Sequence, residues 1–430
     1  MSPFQLIVTT IFGAFIVIGV GVFAVFGGLG GGGGVGAVTV WGTLPAAQME
    51  TLLITLRATD KTLQDVTYIE KSPESYNQEL VSAMAAGTGP DLFFVEHDDL
   101  TAFADKILTI PYSMVSQRTF SATFVDEARL FAGSEGALAL PFSIDPLVMY
   151  WNRDLFASAG VPSAPQYWND FLTLAPRLTA YDTASAVSRS AAALGEWQNI
   201  ANAKAILSAL FLQAGVPVVS VGETGPYSSL GILPEGAVEA PAQSALRFYT
   251  EFANPSKSVY SWNRSLPEAQ TAFAAGDVGV YFGFASEYET LRARNPNLNM
   301  GVEIVPQIQG GNASMTYGKL TGVSVSRTAR NPQGAAAVAQ RFVGGEVAGY
   351  VVQYMGLLPA RRDLSLGTES SAVSSVLAQS VLIARGWLDP NPAETDIIFR
   401  TMVESVSSGR STPAEAVDDA SRLLDQLLRR

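Results

Sequence analysis

The chain has 430 residues, 48% of them hydrophobic and 15% charged, a balance that folds and a length that asks for two lobes or domains rather than one core. A net charge of −12 opposes nucleic acid and anionic membrane surfaces as partners. The lack of any cysteine excludes disulfides, thiolate metal sites, a Cys nucleophile and an acylated Cys anchor, and with a single histidine, His97, no multi-histidine metal site can form, so no metal or cofactor is expected.

An apolar run over 4–26 carries no charge and no proline, and as a helix it is long enough to cross a bilayer. Residues 1–27 are therefore expected to be one uncleaved transmembrane anchor. A cleaved signal peptide is the competing reading; the length of the run, the lack of a preceding Lys or Arg and the lack of a clear small-x-small site stand against it. Orientation is not set by charge, because the first basic residue is Arg57. Eight glycines over 27–36 read as a flexible tether, assigned to 28–36, and the folded part begins at 37.

From there β-rich and helical runs alternate: strand 38–41, helix 45–59, strand 66–69, helix 74–86, and the continuous apolar strand 91–95. Tyr76, Leu80, Val81 and Met84 are expected on one face of the second helix, which Gly87-Thr88-Gly89-Pro90 stops. This order predicts parallel strands joined by right-handed crossovers, an open α/β sheet. Strands over 137–140 and 147–151 flank Pro141 and Pro146; helices follow at 167–178, 200–214 and 240–252, then strand 278–281, helix 286–294, and strands 301–305 and 322–325. From about 332 the chain reads as nearly all helical.

Several segments are similar to a known family. The stretch from Tyr76 through Leu80-Val81-Ser82-Ala83-Met84-Ala85-Ala86-Gly87-Thr88-Gly89-Pro90-Asp91 resembles a helix, Ala-Gly, Pro-Asp, strand signature. Leu140-Pro141 through Asp145-Pro146 to Tyr150-Trp151-Asn152-Arg153-Asp154-Leu155-Phe156 resembles a Leu-Pro, acidic, Tyr-Asn-Lys-Asp-Leu-Phe stretch. Ala272-Phe273-Ala274-Ala275-Gly276 and Gly356-Leu357-Leu358-Pro359-Ala360 resemble two later turns. Together, in this order, they resemble the carbohydrate-binding (maltose-binding-like, family 1) group of extracellular solute-binding proteins of ABC transporters.

The resemblance implies an α/β fold of two lobes, periplasmic-binding-protein-like and of type II, behind the transmembrane helix. The first lobe would hold 37–143 and about 303–328, the second 144–302 and about 329–430, with hinge crossings near 143–147, 300–306 and 324–330. It also implies a small solute, a sugar by preference, captured in the cleft by a monomer on the extracytoplasmic side of a single-pass anchor and delivered to ABC permease subunits.

A sugar site needs carboxylates or amides for hydroxyls and rings for C–H faces, and in an open α/β sheet these sit at the carboxyl ends of strands. Trp41 ends one strand beside Thr43, with a core Trp the equal alternative. Glu96-His97-Asp98-Asp99 follows the 91–95 strand; by resemblance Asp98 contacts sugar hydroxyls, while Asp99 stands where many members have Arg, and a solvated acidic loop is the alternative. Asp145, between Ile144 and Pro146, matches an acidic sugar ligand and is poorly solvated unless paired. Trp197 and Asn199 resemble a ligand loop on the second side, with helix capping the alternative for Asn199, and Phe284 and Glu287 follow the 278–282 strand as another such loop. Two other functions stay open: a surface sensor or scaffold without transport, and a glycoside hydrolase using Asp98 and Asp145 as acid and base. No Gly-x-Ser-x-Gly elbow, Walker loop or His-Glu-x-x-His helix supports catalysis. An acidic cleft would also suit a cation.

Overall fold

The computed structural model describes residues 35–311, 313–363 and 371–430. The expected anchor at 1–27 and all of the tether before 35 lie outside these residues. No helix among the described residues is long and apolar enough to cross a membrane.

Two separate apolar cores define two lobes. In the first, strands Val38–Gly42, Val66–Glu70 and Leu92–Glu96 are parallel, with Val38–Gly42 in the middle. Helix Ala46–Thr59 buries Met49, Leu52, Leu53 and Leu56, the i, i+3, i+4, i+7 stripe of a helix covering a sheet. Helix Tyr76–Ala85 buries Tyr76, Leu80 and Met84, but Val81, expected on the same face, turns to solvent because it lies 100° around the helix from Leu80. The Pro-Asp signature has a structural use: buried Asp91 accepts from Thr39 N at 2.9 Å, Arg330 N at 2.7 Å and Asn331 N at 3.1 Å, tying three chain segments together.

In the second lobe Val278–Phe284 lies parallel to Val187–Ala192 and antiparallel to Leu140–Asn152. The Val187–Ala192 strand is absent from the sequence reading, since Ser188, Arg189 and Ser190 break its apolar pattern. The C-terminal helix Pro413–Leu428 buries Ala416, Val417, Ala420, Leu424 and Leu427, one face, against this core.

Two long strands join the lobes. Leu140–Asn152 runs unbroken through both prolines where two shorter strands were expected, and Thr316–Ser326 pairs antiparallel with it. On the first of these hinge strands Ile144 belongs to the first core and Leu147 to the second; on the other, Tyr317 belongs to the second and Leu320 to the first. A third passage lies between Ala384, in the first core, and Trp387, in the second.

This corrects the expected lobe boundaries. Met300–Ile304 pairs with Val148–Asn152 of the first hinge strand inside the second lobe, so the chain does not cross there. The second crossing sits at 317–320, not 324–330. Apolar side chains from Ala335 to Ala360 fill the first core, although everything after 329 was assigned to the second lobe. The reason is that the two crossings on the long strands occur inside continuous strands, where the sequence has no turn to announce that the covering layer changes.

Candidate ligand-binding site

A cavity of about 540 Å³ opens between the lobes at the hinge strands. The first lobe contributes Thr43 after its central strand, Asn77 at a helix start, and Glu96 and Asp99 after Leu92–Glu96. The second contributes Ala285 and Ser286 after Val278–Phe284, and the hinge strands supply Ser143, Asp145, Lys319 and Thr321. These are strand ends and crossings, the places where an α/β sheet leaves side chains free to meet a ligand. Leu44, Leu357, Leu358 and Leu377 make an apolar wall.

The cavity is acidic and rests on one cation. Burial pushes the Asp145 carboxyl up to about 6, against the hydrogen bond from Ser286 N at 3.0 Å. Burial also raises Glu96 and Asp99 above their ordinary values. Lys319, opposite Asp145 in the hinge ladder, is the one cation lining this cavity among the described residues, and its Nζ lies 4.7 Å from the centre of the Phe284 ring.

Of the residues singled out from sequence, Asp99 and Asp145 line the cavity. Phe284 does not line it; it is buried beneath Lys319 with its edge toward Tyr317. Trp41 turns away: its ring is buried under Lys71 Nζ at 3.9 Å, and Thr43, next in the loop, faces the cleft instead. Trp197 packs on the second core. Asn199 is buried and spent on its own chain, donating to the carbonyls of Asn263 and Leu266 and accepting from Trp262 Nε1, all at 3.0 Å, so it caps no helix. Glu287 likewise accepts from Phe284 N, Asn202, Gln270 and Tyr281. Lys319, Thr321 and Asn77 are the residues the sequence reading missed. Lys319 had a legible signal, being the only charge in the Thr316–Ser326 strand.

Asp98 sits behind the cavity rather than on it. Its carboxylate accepts from Tyr317 Oη at 3.1 Å and lies 3.0 Å from His97 Nε2. Burial favours a proton on Asp98, and the hydrogen bonds it accepts from the His97 ring and the Tyr317 hydroxyl favour its charged form. On His97, burial opposes a second ring proton and the Asp98 charge favours one. Leu320 N–H points at Nδ1 from 3.1 Å and needs its lone pair, which decides for the neutral ring with its proton on Nε2. Asp98 and Asp145 therefore do not face one another across the cleft as the acid and base of a hydrolase would. No cluster of side chains able to hold a metal occurs among the described residues.

Comparison with known proteins agrees with this architecture. Residues 58–344 match the family described as bacterial extracellular solute-binding protein. The galactooligosaccharide-binding protein of Bacillus subtilis (strain 168) is 21% identical over 370 residues, covering 83% of this chain and 81% of that protein. A cyclic alpha-maltosyl-1,6-maltose binding protein from Arthrobacter globiformis superposes with a TM-score of 0.75 at 15% identity, covering 91% of this chain and 99% of that one. A cyclo/maltodextrin-binding protein complexed with maltotetraose gives 0.73 at 16% identity, covering 92% and 98%. These are binding proteins and not enzymes. With two lobes on two shared hinge strands, a cleft between them, and the family match over most of its folded length, this chain belongs to the bacterial extracellular solute-binding proteins.

Proposed function

We propose that the protein captures a small sugar or short oligosaccharide in the cleft by closing its lobes, and hands it to an ABC permease. The apolar run at 4–26 would hold it at the outer face of the membrane, and the glycines after it would give the receptor reach. The observation that carries the reading is the cavity itself, whose polar groups come from both lobes and from both strands that join them. A ligand bridging Asn77 and Asp99 on one side and Asp145 and Ser286 on the other favours the closed form by the interactions it makes only there. The names of the relatives support a sugar as that ligand.

Thermal unfolding of the folded part in the presence of maltotriose, galactooligosaccharides and related glycans tests this. A ligand bound only by the native state raises the melting temperature, by about 2.7 kcal/mol of stability at a hundredfold excess over Kd. The expected result is a rise with at least one glycan that Asp145→Ala abolishes; no rise with any glycan would sink the reading.

A second reading concerns the charge of the solute. Glu96, Asp99 and Asp145 face a single Lys319, and hydroxyl groups do not neutralise the excess. A sugar bearing an amino group would, and glucosamine oligomers tested beside their neutral counterparts separate the two.

A further inference from the structure

The hinge strand Thr316–Ser326 crosses the lobe boundary at Gly318. Gly318 stands opposite Pro146 there, and two residues on Leu320 turns both its N–H and its carbonyl to His97 of the first lobe rather than to the partner hinge strand. The two cores divide here: Tyr317 packs with the second, Leu320 with the first. The strand therefore passes from one core to the other within 317–320.

One dipeptide from the first lobe grips the strand on both sides of that point. On the far side of Gly318, His97 makes a closed pair with Leu320: His97 N donates to Leu320 O at 2.8 Å, and Leu320 N donates to His97 Nδ1 at 3.1 Å. On the near side, Tyr317 Oη donates to Asp98 at 3.1 Å. His97 Nε2 and Asp98 Oδ1, 3.0 Å apart, link the two grips, and the His97 and Tyr317 rings lie 5.9 Å apart. His97 and Tyr317 are both buried, so no water competes for these bonds. The segment around Gly318 is thus fastened at 317 and at 320 to the same two residues.

We propose that His97 and Asp98 staple the hinge strand across Gly318 and so set how far the lobes can open. Asp98 is then a positioning residue that acts through Tyr317 and not a ligand contact, and Lys319, carried on the stapled segment, keeps its place in the cleft as the lobes move. Removing the grip on Tyr317 frees the Gly318–Pro146 pair to bend further and makes open forms more varied. The proposal rests on the hinge-closing reading given above, and its test is built to fail separately from it.

The chain has no cysteine, so two introduced ones label cleanly. Ser82→Cys in the first lobe and Ser158→Cys in the second are both exposed, and spin labels there report the distance between lobes by pulsed electron resonance without any ligand. The expected result is that Tyr317→Phe and Asp98→Ala each lengthen and broaden the distance distribution, while Asp99→Ala, which lines the cleft outside the staple, leaves it unchanged. Tyr317→Phe keeps the ring and its packing, so a lower melting temperature with an unaltered distribution would mark the contact as merely structural and overturn the proposal. In the unsubstituted protein the Leu320 amide should exchange slowly with solvent deuterium; fast exchange there also overturns it. If instead the unsubstituted labelled protein shows the same distance with maltotriose as without, under conditions where maltotriose raises its melting temperature, it is the hinge-closing reading that fails and the staple fails with it.

Discussion

At the scale of single residues, the cleft stores an electrostatic cost that binding can use. Asp145 ordinarily titrates at 3.8 and here is pushed to about 6 by burial between Ile144 and Pro146. Between those two values the native state holds a proton that the unfolded chain has lost, so stability falls as pH rises through that window, and above about 6 the folded protein carries the full cost of a buried charge. Asp145→Asn lacks that charge. It should melt above the native protein at pH 8 and level with it near pH 4, while its affinity for the bound glycan falls by about tenfold or more, the scale of a lost bond to a charged group. Melting curves at the two pH values and a titration calorimeter check both halves. Asp145 was legible because a charge flanked by Ile144 and Pro146 needs a partner, and here it lines the cleft, partly buried, and accepts from Ser286 N. Asn199 and Glu287 misled for a converse reason: an amide or carboxylate that binds its own backbone looks in sequence like one that binds a ligand.

At the scale of elements, that distinction makes a prediction about the loop before helix Ala203–Gln213. Asn199 holds Trp262 Nε1, which lies in the centre of the second core, and fastens the carbonyls of Asn263 and Leu266. Asn199→Ala should therefore lower unfolding stability by about 1 to 3 kcal/mol, the cost of a buried donor left without a partner, and leave glycan affinity as it was. Denaturant midpoints and binding isotherms of the same variant decide; a loss of affinity with stability intact would return Asn199 to the site. The parallel strand and helix units were visible in the sequence because their apolar runs match the two periods of local structure. The first hinge crossing was legible as well, at 143–147, where Pro141, Asp145 and Pro146 mark it; the later crossings were not, since Thr316–Ser326 carries no such mark where it passes from one core to the other. Nor was the allotment of helix Pro332–Phe342, whose buried stripe of Ala335, Ala336, Val338, Ala339 and Phe342 would fit either core equally well.

At the scale of the whole molecule, the proposed closure would change the shape of the protein with its connectivity fixed, which solution scattering reads directly. With the glycan that raises the melting temperature most, the radius of gyration of the folded part should fall, as a cleft lined by both lobes shuts around its occupant. An unchanged radius with saturating ligand would mean the lobes are already as close as they come. The overall two-lobed plan was foreseeable from length and from the order of strands and helices, and the resemblance sharpened it. What the whole could not reveal from sequence was which residues of each loop face inward, because that depends on the mutual rotation of two halves built from distant parts of the chain.

Leu140–Asn152 and Thr316–Ser326 lie side by side in the middle of one continuous sheet that runs through both lobes, and this carries one more consequence. A cut between Ile304 and Thr316 leaves the N-terminal fragment without Thr316–Ser326, the strand that pairs with both Leu92–Glu96 and Leu140–Asn152. The first lobe's sheet is therefore completed only by a strand that emerges after all of the second lobe's own sheet strands have been made.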